Sequence, residues 1–123
     1  LNIEKAFIVN SEDGLDEISP YANTNIVELT DGEIKEFVLN PKDLNIKANN
    51  FDHLIGKNPD YNAKKIKEIF QGEDNDFSIT VCLNAAAGLL AAEKSNNFKE
   101  GYQKLREHIL SGKVINHISK LMK

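Results

Sequence analysis

The chain has 123 residues, 41% of them hydrophobic, which is enough to bury one modest core. Its 15 basic and 19 acidic residues give a net charge of -4, and the lysines are not grouped with aromatic residues, so nucleic acid is not the expected partner. No apolar run reaches the roughly 20 residues that cross a bilayer, and the single cysteine, Cys82, can form no internal disulfide. We therefore expect a single cytoplasmic domain over residues 1–123.

The first part of the chain, residues 1–44, predicts β-structure. Residues 5–9 form a continuous apolar and partly β-branched run, which is typical of a strand buried on both faces. Two further strand-like runs, 24–29 and 33–39, are separated by an Asp-Gly step, which is a strong signal for a tight turn. The pattern predicts an antiparallel hairpin.

The rest of the chain predicts a loop and then helices. Residues 45–58 are polar and predict a surface loop with Leu54 and Ile55 as its apolar anchors. Residues 59–123 predict about four helices, the first of which begins at a proline that fits the first helical position. The apolar residues expected to face inward from this first helix are Ala63, Ile66, Ile69 and Phe70.

An alanine-rich run lies in the middle of the next predicted helix, residues 77–92. Small side chains let another backbone approach closely, so we expect such an approach at Gly88, where glycine costs helix stability. Asn84 is the polar side chain that stands out in this apolar run. A buried amide that joins the helix to a loop is the favoured interpretation, ahead of a ligand contact.

An acidic segment, residues 12–19, follows the first predicted strand. Its neighbouring carboxylates, Asp16 and Glu17, come just after Gly14, which allows the backbone to bend so that both can approach one site. Mg²⁺ prefers oxygen ligands and is usually held by one or two carboxylates plus the phosphates of a substrate. The segment is therefore a candidate magnesium site, although the pattern alone favours an ordinary solvated turn.

Other candidate residues predict no second site. His53, His108 and His117 are isolated in the sequence, so we expect them to be structural or surface residues rather than metal ligands. No serine lies in a Gly-x-Ser-x-Gly pattern, and Ser11 and Ser19 are expected to be hydrogen-bonding turn residues. No catalytic nucleophile or general base is assigned.

Several segments together resemble one known family. Their order and spacing are similar to those of the C-terminal part of anthranilate phosphoribosyltransferase. The matching segments are 6–9 followed by 13–19, 27–29 with 31–34, 59–72, 83–87 and 99–113. The resemblance implies an α/β fold: the C-terminal fragment of a phosphoribosyltransferase or nucleoside phosphorylase-like αβ domain, with a buried strand, an antiparallel hairpin and about four helices.

The resemblance also implies a function. The family transfers a phosphoribosyl group from phosphoribosyl diphosphate to anthranilate in tryptophan biosynthesis, and Asp16 and Glu17 match its Mg²⁺-binding acidic pair. The family's glycine-rich diphosphate loop would lie upstream, so this chain alone is expected to be inactive. Asn10 and Ser11 stand where the family has His-Gly, which puts the local hydrogen bonding of the turn in question.

A full-length protein is expected to be a homodimer, and the present chain is expected to self-associate through apolar surface. One alternative is a pyrimidine nucleoside phosphorylase-like protein or a non-catalytic paralogue. The other is a stand-alone interaction module.

Overall fold

The computed structural model describes residues 3–48 and 50–121, and it places three strands before four helices. The elements are β1 (Lys5–Ser11), β2 (Thr24–Thr30), β3 (Glu33–Leu39), α1 (Pro59–Phe70), α2 (Asp76–Ala91), α3 (Phe98–Leu110) and α4 (Lys113–Leu121), with short 3-10 turns at Pro41–Leu44 and Phe51–Leu54. This order confirms the prediction of a strand, a hairpin and about four helices. No helix in the described ranges is long and apolar enough to cross a membrane.

The three strands form an antiparallel sheet in the order β1-β2-β3. Asp31 and Gly32 connect β2 to β3, and both have positive φ, 51° and 84°. Positive φ at both central residues matches the right-handed twist of a two-residue hairpin, and glycine adopts it without strain. The predicted hairpin is confirmed.

Helices α2 and α3 cover one face of the sheet. The ring of Phe98 in α3 lies against Phe7 of β1 and Phe37 of β3, with ring centroids 5.9 and 6.3 Å away. The opposite face is open, because Ile8 is 69% exposed and Ile34 is 70% exposed. The prediction that the first strand is buried on both faces is therefore wrong for the described residues: the helices pack on one face only, and β1 pairs only with β2.

The pairing of α2 with α3 forms the helical part of the core. Cys82, Leu83 and Ala86 of α2 are completely buried. The predicted close approach at Gly88 is wrong, because a Cβ at that position would meet no atom within 4 Å. Gly88 lies on the solvent side of α2 instead, and the close approach occurs at Gly101 of α3.

Some side chains that were predicted to make apolar contacts in α1 and in the loop before it are exposed to solvent instead. In α1, Ile69 is buried and Phe70 packs against the core, but Ala63 and Ile66 are exposed, so only the last turn of α1 faces inward. In the loop before α1, Leu54 is half-buried while Ile55 is exposed.

Candidate metal-binding site

The acidic turn connects β1 to β2. Gly14 has φ +91°, and its N–H donates to the C=O of Ser11 at 3.1 Å, which reverses the chain directly after the strand. The backbone then bends at Asp16 and at Glu17. These bends remove the alternation of a regular strand, in which neighbouring side chains point to opposite faces.

Helix α2 holds the far end of the turn through Asn84. The Oδ1 atom of Asn84 accepts the N–H of Ile18 at 2.8 Å, and its Nδ2 donates to the C=O of the same residue at 2.9 Å. The Nδ2 atom also donates to the C=O of Thr80 at 3.0 Å, one helical turn earlier. The prediction that Asn84 is an amide joining the helix to a loop is confirmed.

Strand β1 holds the same turn through the buried hydroxyl of Ser11. This hydroxyl donates to the C=O of Glu17 at 2.7 Å and accepts the N–H of Ser19 at 3.0 Å. Thr24, which is also buried, lies 2.6 Å away through its own hydroxyl and supplies the remaining hydrogen bond. Ser11 therefore fixes the turn from inside.

Ser19 links two parts of the turn through its hydroxyl group. Its hydroxyl donates to the Oδ2 atom of Asp13 at 2.6 Å, and its oxygen accepts the N–H of Tyr21 at 3.0 Å. The other oxygen of Asp13 accepts the N–H of Leu15 at 3.3 Å. Asp13 thus has a structural role. The predicted hydrogen-bonding role of Ser11 and Ser19 is confirmed, but Ser11 is the last residue of β1 rather than part of the turn.

The carboxylates of Asp16 and Glu17 differ from that of Asp13. Both residues are exposed, and neither side chain makes a hydrogen bond or ion pair with another residue that the structure describes. Ile18, the next residue, is 1% exposed and anchors the turn in the core. The turn therefore carries two carboxylates without a partner among the described residues, on a backbone segment whose two ends are fixed.

The chemistry of these donors fits one class of metal site. Within residues 3–48 and 50–121, no group of three or more His, Cys, Asp or Glu side chains could enclose a metal ion. Two carboxylates without further protein ligands suit Mg²⁺, which keeps several waters and shares its coordination with substrate phosphates. They do not suit zinc, for which structural sites are closed by four ligands.

A surface cleft of about 630 Å³ lies beside the turn. Its lining includes Glu12, Tyr21, Asn40 and Lys42, but neither Asp16 nor Glu17. The candidate ligands are therefore exposed residues outside this cleft.

A second polar cluster was not predicted from the sequence. The Nδ1 atom of His53 lies 3.0 Å from Oδ2 of Asp76, a carboxylate that is 2% exposed at the start of α2. The N–H of Asn50 donates to the same oxygen at 3.2 Å, and the Tyr21 hydroxyl donates to the C=O of Asn50 at 2.8 Å. Burial and the nearby Asp76 carboxylate raise the pKa of Tyr21. The cluster ties the loop before α1 to α2.

The remaining histidines confirm the predicted surface role, because His108 and His117 are both exposed. Cys82 is buried and free, as predicted for a small apolar residue. Burial raises the pKa of its thiol to about 11, although the nearby Arg106 opposes this shift.

Comparison with known proteins identifies the family. Residues 1–115 match the family model for the glycosyl transferase family, a/b domain. The chain belongs to this family. The chain is also similar to two anthranilate phosphoribosyltransferases. That of Pelagibacter ubique is 55% identical over 98% of the chain and 37% of its own length. That of Desulfatibacillum aliphaticivorans is 37% identical over 100% of the chain and 36% of its own length.

Solved structures agree with this assignment. Anthranilate phosphoribosyltransferase from Thermus thermophilus superimposes with a TM-score of 0.83 at 28% identity, over 94% of this chain and 34% of that one. The enzyme from Saccharomyces cerevisiae in complex with PRPP and Mg superimposes with a TM-score of 0.76 at 28% identity, over 89% of this chain and 32% of that one. The resemblance drawn from the sequence is confirmed, and the chain spans about a third of the length of these relatives.

Proposed function

We propose that this chain is the metal-binding part of an anthranilate phosphoribosyltransferase, in which Asp16 and Glu17 hold Mg²⁺ against the diphosphate of phosphoribosyl diphosphate. One observation carries the proposal: two adjacent exposed carboxylates have no partner among the described residues, while the turn that bears them is fixed by buried hydrogen bonds. The relative from Saccharomyces cerevisiae, solved in complex with PRPP and Mg, supports the choice of ligand and metal.

The chemistry that the proposal assigns to these side chains is electrostatic. Bound Mg²⁺ would stabilise the negative charge that grows on diphosphate as the bond to the ribose carbon breaks. Asp16 and Glu17 supply anionic oxygens without first having to break an internal ion pair. Asp13 is less suited to this role, because both of its oxygens already accept hydrogen bonds from within the turn. No proton transfer is assigned to a residue of this chain.

The remaining parts of the active site are assigned to a longer polypeptide. The printed sequence contains no glycine-rich loop of the kind that cradles phosphates, and the relatives are about three times as long as the aligned region. We propose that such a loop and the anthranilate site lie outside these 123 residues, that the 123-residue chain alone is inactive, and that the complete enzyme is a cytoplasmic homodimer. The relatives' shared name favours anthranilate over a pyrimidine nucleoside as the substrate.

Steady-state kinetics of the complete enzyme test the proposal. Asp16→Asn and Glu17→Gln each remove one anionic oxygen ligand with little change of shape, and the matched control is Glu12→Gln, another exposed carboxylate of the same turn. We expect the Mg²⁺ concentration for half-maximal rate to rise on the order of tenfold or more in the two ligand variants and to stay unchanged in the control. Equal values in all four proteins would contradict the assignment of this pair.

A further inference from the structure

We propose that Asn84 is a positioning residue that fixes the carboxylate pair through the Glu17–Ile18 peptide group. This inference rests on the proposed function, since it gives the helix residue a task in metal binding. Asn84 does not touch the metal or the substrate in this account. It determines where the backbone that carries Glu17 lies.

The peptide group between Glu17 and Ile18 is held at both of its polar ends. Its N–H donates to Oδ1 of Asn84 at 2.8 Å, and its C=O accepts the hydroxyl hydrogen of Ser11 at 2.7 Å. The two partners come from different elements, α2 and β1. Rotation of this peptide group would break both hydrogen bonds together, so the direction in which Glu17 leaves the backbone is set.

The amide that holds this peptide is itself fixed. Nδ2 of Asn84 donates to the C=O of Ile18 at 2.9 Å and to the C=O of Thr80 at 3.0 Å, which sets the orientation of the amide plane. Leu83, the residue before Asn84, is completely buried and anchors this part of α2 in the core. The position of the acidic turn is thereby tied to the most buried helix of the described chain.

A purely structural role and a positioning role predict different results. If Asn84 only joins the loop to the helix, its removal lowers stability as the loss of any comparable hydrogen bond would. If Asn84 positions the carboxylates, its removal also weakens metal binding beyond what lost stability explains. Asn97→Ala is the matched control, because Asn97 caps α3 by accepting the N–H of Glu100 at 2.9 Å, away from the turn.

The test uses the complete enzyme with phosphoribosyl diphosphate present, and it follows Mn²⁺ binding through the EPR signal of the free ion. For Asn84→Ala we expect the Mn²⁺ dissociation constant to rise on the order of tenfold, and for Asn97→Ala we expect no change. Thermal unfolding of both variants is recorded under the same conditions. An unchanged dissociation constant in Asn84→Ala, or an equal rise in both variants, would overturn the positioning role.

A second variant keeps the test decisive if Asn84→Ala does not fold. Ser11→Ala frees the C=O end of the same peptide group, and we expect it to weaken Mn²⁺ binding in the same direction. Asp16→Asn and Glu17→Gln are titrated beside it. If neither of these two changes Mn²⁺ binding, the proposed function and the positioning role both fail. If both weaken Mn²⁺ binding while Ser11→Ala matches the Asn97→Ala control, only the positioning role fails.

Discussion

Gly101 of α3 lies against Ala86 of α2 so closely that a Cβ added to Gly101 would be 3.2 Å from the Cβ of Ala86. Ala86 is completely buried, and its Cα would be only 3.5 Å from the added atom. The absence of a side chain at position 101 therefore sets the distance between the two helices. Gly88, two residues after Ala86, has open space around it.

These two glycines predict opposite effects of the same substitution. Gly88→Ala should raise the free energy of unfolding by up to about 1 kcal/mol, because alanine favours the helix and meets no neighbour. Gly101→Ala should lower it by about 1 kcal/mol, because overpacking against Ala86 costs more than the gain in helix propensity. Urea unfolding of the two variants measures both values. A stabilised Gly101→Ala would show that the helices separate easily.

Arg106 joins α3 to the connection between α1 and α2. Its guanidinium forms an ion pair with Asp74 and donates to the Ser78 hydroxyl at 3.0 Å, with only 14% of the arginine side chain exposed. Arg106→Leu should lower the free energy of unfolding by about 1–3 kcal/mol, since charged hydrogen bonds are lost. Lys104→Gln is the control two residues earlier, because the Lys104–Glu100 pair is exposed and should contribute little. Similar unfolding midpoints for Arg106→Leu and Lys104→Gln would contradict the claim that the Arg106 interactions stabilise the fold.

The Cys82 thiol should be protected in the folded chain. Burial raises its pKa from the ordinary value of 9.0 to about 11, which lowers the thiolate fraction at pH 8 by on the order of a hundredfold. At pH 8, a thiol reagent should therefore label Cys82 at least about a hundredfold more slowly in the native chain than in the urea-unfolded chain. Because the folded pKa is the higher one, the contribution of Cys82 to stability is present below pH 9 and is lost as the pH rises toward 11. Rapid native labelling would contradict the burial.

The open face of the sheet should make the isolated chain self-associate. Ile8 and Ile34 lie on this same face. Ile34 pairs with Leu29, and Leu29 pairs with Ala6, so these three side chains point to one side of the sheet. Ile8 points to that side too, because it is two residues from Ala6 on the same strand. Ile34→Lys should shift the chain toward monomer in light scattering. Ile66→Lys, on the exposed side of α1, should not. A wild-type monomer at high concentration would rule out this surface as a self-association site.

Local patterns were sufficient to predict most of the fold. The Asp31-Gly32 step predicted the hairpin, and Asn84 was correctly interpreted as an amide that joins a helix to a loop. Contacts between residues far apart in the chain could not be predicted from such local patterns. The partner of Asn84 lies 66 residues away, and the open face beside Ile8 depends on where the helices pack rather than on the strand's own sequence.

The local structure of the candidate site was only partly predictable from the sequence. The adjacent carboxylates Asp16 and Glu17 are visible in the sequence, and Gly14 indicates the turn before them. The contact between Ser11 and Thr24 was not predicted, because these residues come from separate strands and meet only through the register of the sheet. Only folding of the chain brings the side chains of Ser11 and Thr24 into contact.

Calorimetric titration of phosphoribosyl diphosphate into the complete enzyme, with and without Mg²⁺, tests the central claim most directly. The account predicts that Mg²⁺ tightens binding to the wild-type enzyme and to Glu12→Gln by at least about tenfold, and that this dependence is lost in Asp16→Asn and in Glu17→Gln. The same Mg²⁺ dependence in all four proteins would contradict it.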